Sequence, residues 1–89
     1  MGDELLANMY YVKTSGYLDN GDNSTAISEC TVAISKGIKD ARIFNNRAYA
    51  YIAIGEALKA RFDFESSLKL NPRDDWVRNK ISELKSKGY

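Results

Sequence analysis

Apolar residues recur along the 89-residue chain at helical spacing, in pieces of similar design. Tyr10, Thr14 and Tyr17 fall at i, i+4 and i+7, as do Phe44, Ala48 and Tyr51, so each trio lies on one face of a helix. A second kind of stripe, Ala26, Cys30, Ala33 and Ile34, is matched by Ala60, Phe64, Ser67 and Leu68. Glycine separates the two kinds. Gly21 and Gly55 take the left-handed conformation that closes a helix, and Asp22, Asn23 and Ser24 offer oxygens to cap the next one. The pattern therefore predicts two helical hairpins. The segment NPRDD follows, with Asn71 as a cap, Pro72 at the first helical position, and Asp74 and Asp75 at the positive end of a helix dipole. It predicts a fifth helix ending at Lys85, Lys87 and Gly88.

The two hairpins are one unit written twice. A shift of 34 residues pairs Ala7 with Ala41, Tyr17 with Tyr51, Gly21 with Gly55, Ala26 with Ala60 and Asp40 with Asp74. Conservative pairs join them: Met9 with Ile43, Tyr10 with Phe44, Lys13 with Arg47, Leu18 with Ile52, Asp22 with Glu56, Cys30 with Phe64 and Ile34 with Leu68. Small residues at Thr14, Ala26, Ala48 and Ala60 let the two backbones of each hairpin approach closely.

The run ARIFNNRAYAYIAIGEALKARFDFESSLKLNP, Ala41 to Pro72, resembles a tetratricopeptide repeat, with Phe44, Ala48, Tyr51, Gly55, Ala60, Phe64, Leu68 and Pro72 at the signature places. Ala7 to Asp40 resembles a more degenerate repeat, in which SKGIKD replaces the usual proline-containing link. Residues 73 to 87 look like the solvating helix that ends such arrays, with an apolar seam, Val77, Ile81 and Leu84, one residue off the repeat phase. What the resemblance implies is a single all-α domain over residues 1–89, a right-handed superhelical stack of two hairpins, about 7–40 and 41–72, with a C-terminal solvating helix. In this family the first helices line a concave groove that holds extended peptides or partner helices.

Accounting for faces leads to the same surface. With the buried stripes assigned, Asn8, Tyr11, Val12, Ser15, Leu18 and Asp19 remain on the first helix, and Arg42, Asn45, Asn46, Tyr49, Ile52 and Ala53 on the third. Tyr51 is expected to face inward and Tyr49, about 200° around the helix, outward. The candidate peptide-binding residues are Asn8, Tyr11, Ser15, Arg42, Asn45, Asn46, Tyr49 and Ile52: tyrosine for contact area, asparagine amides for a partner's backbone, Arg42 for an acidic group. Tyr11 and Tyr49 are open to a second reading, cover by a neighbouring helix or by self-association. Arg47 reads as an edge charge, Trp76 as a cap packed onto the preceding helix, and the C-terminal lysines as dipole-compensating surface charges. Asn46 also resembles the asparagine with which co-chaperone members of the family clamp the terminal carboxylate of a chaperone tail. The partners expected on the first helix correspond to Tyr11 and Ser15, and Lys80 stands in weakly for a further basic residue.

Composition narrows the function classes. A chain of 89 residues builds one modest core. A net charge of +1, from 13 basic and 12 acidic residues mixed along the chain, gives no basic stripe for nucleic acid or an anionic membrane. No apolar run approaches a membrane span, and MGDELLANMY is unlike a secretion signal, so the expected location is cytoplasmic. Asn23 opens a glycosylation sequon that reads instead as part of a helix cap. Cys30, the one cysteine, reads as a small buried hydrophobe. Histidine is absent, no phosphate-cradling glycine loop appears, and the carboxylates, Asp63 and Glu65 among them, lie mostly on polar faces where pairs such as Glu65 with Lys69 suffice. The expectation is a non-catalytic interaction module without cofactor or metal, whose partner is a protein or peptide. Homotypic assembly stays open, since two repeats are fewer than the three or so such stacks usually need. Membership of a longer scaffold stays open too, because no dedicated cap precedes Asp3.

Overall fold

The computed structural model describes residues 2–89, and among them the secondary structure is five α-helices: α1 (Gly2–Asp19), α2 (Asn23–Ser35), α3 (Ala41–Ala53), α4 (Ala57–Leu70) and α5 (Asp75–Ser86). The fold is the all-α hairpin stack that the apolar pattern predicts. α2 packs against α1 and α3, α4 against α3 and α5, and α1 also touches α3.

The internal repetition extends to backbone hydrogen bonds. Gly21 donates its N–H to the Leu18 carbonyl at 3.0 Å and Asp22 to Tyr17 at 2.8 Å; Gly55 donates to Ile52 at 3.0 Å and Glu56 to Tyr51 at 2.8 Å. Both glycines are left-handed, at φ +76° and +83°, and a β-carbon at either would meet nothing within 4 Å. Their requirement is one of backbone angle, not crowding.

Aspartates open three helices. Asp22, Asp40 and Asp74 accept from the N–H groups of Thr25, Arg42 and Val77 at 3.2, 2.9 and 3.2 Å. Asn23 is thus the first residue of α2, and its cap is Asp22. The start of the fifth helix also departs from expectation. Asn71 closes α4, donating its N–H to the Ser67 carbonyl at 2.9 Å, and Pro72 lies in the turn rather than at a first helical position. The chain uses Pro72 and Arg73 to reverse direction, and Arg78 reaches back to the Pro72 carbonyl.

Two apolar clusters form the interior. Ala7, Cys30, Ala33, Ile38 and Ile43 make the first; Ala48, Ala60, Phe64, Val77, Ile81 and Leu84 make the second. α3 serves both, Ile43 on one face and Ala48 on another. Thr14, Ala26, Ala48 and Ala60 are fully buried, where their small size lets the helices meet. Burial pushes the Cys30 thiol from 9.0 up to about 11, which keeps it protonated and unreactive at neutral pH.

An ion pair is also written twice. Lys13 and Glu29 meet at 2.8 Å, and the residues one period later, Arg47 and Asp63, at 2.7 Å. The first pair lies at the outer end of the stack with Lys13 half exposed. The second is covered, and Arg47 also donates to Thr31 of α2 at 3.1 Å, tying α2, α3 and α4 together. Arg47 is therefore no edge charge, and Asp63, 4% exposed, is not on a polar face. Asp63 holds the Arg47 guanidinium above its ordinary range. Glu65 pairs with Arg61 one turn before it, at 3.0 Å, instead of with Lys69.

Candidate functional site

The side chains left on one side of α1, α3 and α5 follow the 34-residue period of the sequence. Asn8, Arg42 and Trp76 occupy equivalent places, as do Tyr11, Asn45 and Asn79, and then Ser15, Tyr49 and Glu83. Contacts join them across the helices. The Arg42 guanidinium donates to Asn8 Oδ1 at 2.5 Å, lies 4.4 Å from the centre of the Tyr11 ring, and forks onto Asp40 at 3.0 and 2.8 Å. Asn8, Tyr11 and Arg42 are thus one cluster. Its charge is neutralised locally: Arg42 holds the Asp40 carboxyl below its usual range, mainly through their side-chain hydrogen bond.

At the other end the surface is aromatic. The Tyr49 ring lies 5.9 Å from buried Phe64, edge to face, and 5.5 Å from Trp76, which is itself 6.1 Å from Phe64. Trp76 does pack onto α4 as the sequence suggests, and onto α3 as well. Yet Tyr49 and Trp76 remain 40% and 45% exposed, and Ile52 is 42% exposed beyond them. Lys80 caps the edge with its ammonium 5.1 Å from the Trp76 ring and 3.3 Å from Glu83. Tyr51, by contrast, packs against the second cluster. Burial raises the Tyr49 phenol above its ordinary value.

Asn46 does not stand on this surface. It is 7% exposed, and its amide nitrogen donates to Thr14 Oγ1 at 2.9 Å and Ser15 Oγ at 3.1 Å, with the Tyr11 carbonyl at 3.5 Å. It locks α3 to α1, and Ser15 is partly engaged by the same joint. Asn45 is half-buried, with its Oδ1 shielded and without a protein partner. Val12 lies at the outer end of the stack. The contribution of α5, chiefly Trp76, Asn79, Lys80 and Glu83, is absent from the face count made on the sequence. The same 34-residue shift that aligns α1 with α3 would have found it.

A separate depression of about 650 Å³ lies between α4 and α5, lined among others by Leu68, Pro72, Arg78, Ile81 and Lys85. Among the described residues no group of three or more His, Cys, Asp or Glu side chains is placed to hold a metal ion, and no helix is long and apolar enough to cross a membrane.

No protein-family model matches the chain. Among curated proteins it is similar to the human protein SGT1 homolog, with 32% identity over 82 residues. That alignment takes in 90% of this chain but 22% of the relative, so the chain spans about a fifth of the relative's length.

Proposed function

We propose that this chain is a non-catalytic protein-interaction module of tetratricopeptide type, which binds an extended peptide or a helix of a partner protein across α1, α3 and α5. The observation that supports this most is the aromatic floor, where Tyr49 and Trp76 rest on Phe64 and yet stay 40% and 45% exposed. Rings already held by neighbours lose little freedom when a ligand seats on them, which is what makes aromatic residues effective anchors.

The charge balance bears on the kind of ligand. Arg42 is paired with Asp40 and Lys80 with Glu83, so an acidic tail would have to displace an internal carboxylate at each. The Asn46 amide nitrogen is already bonded within the chain. The preferred ligand is therefore a near-neutral segment with an aliphatic or aromatic anchor for the Tyr49–Trp76 floor and backbone groups for Asn8, Asn45 and Asn79.

Trp76 is the single tryptophan, so its emission reports on the floor directly. Peptides selected from a random display library should carry an apolar anchor and shift the Trp76 emission to the blue. Tyr49→Ala should weaken them about 30-fold, the equivalent of about 2 kcal/mol. Binding that survives both Tyr49→Ala and Trp76→Ala undiminished rules this surface out.

A further inference from the structure

The near-neutral total charge hides an uneven spread. Residues 41–89 hold 10 of the 13 basic side chains and 6 of the 12 acidic ones, a balance of +4 against −3 for residues 1–40. Part of that excess gathers around the depression of about 650 Å³ between α4 and α5. Its lining is apolar at Leu68, Pro72 and Ile81 and basic at Lys69, Arg78 and Lys85. Arg78 is held by Asp75 and the Pro72 carbonyl. Glu65, the acid of the lining, is taken up by Arg61 at 3.0 Å. Among the described residues Lys69 and Lys85 enter no ion pair, and both are exposed.

The repeat indicates what shape fits there. Every residue lining the depression has a counterpart 34 positions earlier on α2, α3 or the loop between them. At that earlier place a helix is seated. α4 covers α3 where Ala48 and Tyr51 pack with Ala60, Phe64 and Leu68. Its Asp63 meets Arg47 of α3, and Arg47 also reaches Thr31 of α2. One period earlier still, α2 packs on α1 with Glu29 on Lys13 at 2.8 Å. Each seated helix brings a carboxylate to a cation of the helix beneath it. On α5 the places of Phe44, Ala48 and Tyr51 are taken by Arg78, Ser82 and Lys85, all exposed. The surface that faces a seated helix has changed there from aromatic to basic.

We propose that the α4–α5 depression binds an acidic amphipathic helix of a partner protein, seated on α5 as α4 is seated on α3, with its apolar side on Leu68 and Ile81 and its carboxylates on Lys69, Lys85 and Arg78. Carboxylates arriving at Lys69 and Lys85 displace water and no internal acid. The concave surface differs, since Arg42 and Lys80 are already neutralised by Asp40 and Glu83. A nucleic-acid strand is a poorer match, because the lining offers aliphatic side chains where bases need rings to stack on. Exposed cations of this kind contribute selectivity more than strength, and one helix covers less than a standard interface, so the expected Kd is about 10–300 µM.

The probe is a dye-labelled synthetic copy of α4, Ala57–Leu70, carrying Lys59→Glu, Arg61→Glu and Lys69→Glu and stapled into a helix on the side away from Phe64. Its control is the unsubstituted copy, stapled alike. Fluorescence anisotropy with the full chain raised to about 1 mM covers the expected range. The acidic peptide should bind at least about tenfold tighter than the control and weaken as salt is raised. Amide NMR shifts on binding should centre on Lys69, Ile81 and Lys85. The double variant Lys69→Glu with Lys85→Glu should invert the preference, losing about tenfold for the acidic peptide and gaining for the control, an outcome that unfolding cannot produce. Tyr49→Ala should alter neither affinity, which separates this site from the surface across α1, α3 and α5. The proposal is overturned if neither peptide binds by about 1 mM, if both bind equally, if the preference survives the double variant, if the shifts fall on Tyr49 and Trp76 instead, or if a single-stranded oligonucleotide binds as tightly as the acidic peptide.

Discussion

Asn46 and Val12 occupy equivalent places one period apart, and their neighbours give them opposite roles. Asn46 is sealed between α3 and α1, where its amide nitrogen satisfies the hydroxyls of Thr14 and Ser15. Asn46→Ala strips a buried network of its donor, so it should cost about 1–3 kcal/mol in urea denaturation. The double variant with Thr14→Val should lose less than the two single losses added together. Cys30 offers a test through pH. Its thiol is fully buried and titrates at about 11 instead of 9.0, with burial the largest cause. Between those values the unfolded chain has released the proton while the folded chain retains it. Stability is therefore undiminished by this group below pH 9.0 and declines above it, by about 1.4 kcal/mol per pH unit and about 2–3 kcal/mol in all. The raised Tyr49 phenol acts in the same direction, so the slope to read is the difference between wild type and Cys30→Ala in denaturation at stepped alkaline pH. Equal slopes would mean that the thiol reaches solvent in the folded state.

At the scale of elements, position in the stack decides what a given residue is worth. Arg47 and Asp63 form a covered bidentate pair, while Lys13 and Glu29, in the same place one period earlier, are washed by solvent. Asp63→Asn leaves the Arg47 guanidinium covered and without its counter-charge, which should cost about 3–5 kcal/mol. Glu29→Gln should change stability by less than about 1 kcal/mol. Thermal and urea unfolding of the two variants side by side measure the contrast, and similar losses would refute the difference in cover. Helix number and the glycine-closed joints were legible in the sequence because each rests on local chemistry: spacing, left-handed glycine, aspartate oxygens. The burial of Asp63 was not, since nothing on α4 marks one aspartate as covered; what lies against it is the Arg47 guanidinium of α3, which also reaches Thr31 of α2. Asn46 was misplaced for a related reason. A helix with three neighbours has little free arc, and the arc that looks free by periodicity is partly closed by α1.

Over the whole molecule the two apolar clusters depend unequally on the ends of the chain. The first draws on α1, α2, the loop residue Ile38 and α3, and needs nothing from α5. In the second, three of the six buried members, Val77, Ile81 and Leu84, come from α5, and they lie over Phe64, the largest fully buried side chain. Burying three such side chains contributes about 5–9 kcal/mol before ordering is counted. That is comparable with the roughly 5–15 kcal/mol by which a domain of this kind outweighs its unfolded chain. The same helix supplies Trp76, so the core of the second hairpin and the aromatic floor share one support. A chain ending at Asp74 should therefore lose its cooperative thermal transition in circular dichroism, retaining at most a frayed helical signal from the first hairpin. It should also lose peptide binding altogether, rather than by the modest factor that removing Trp76 alone would produce. Restoring α5 as a separate peptide of residues 74–89, which keeps the Asp74 cap on the Val77 N–H, should bring back both the transition and the binding at high peptide concentration, because its buried contacts with the second cluster are apolar. A truncated chain that melts cooperatively near the wild-type temperature would mean that α5 only decorates a self-sufficient pair of hairpins.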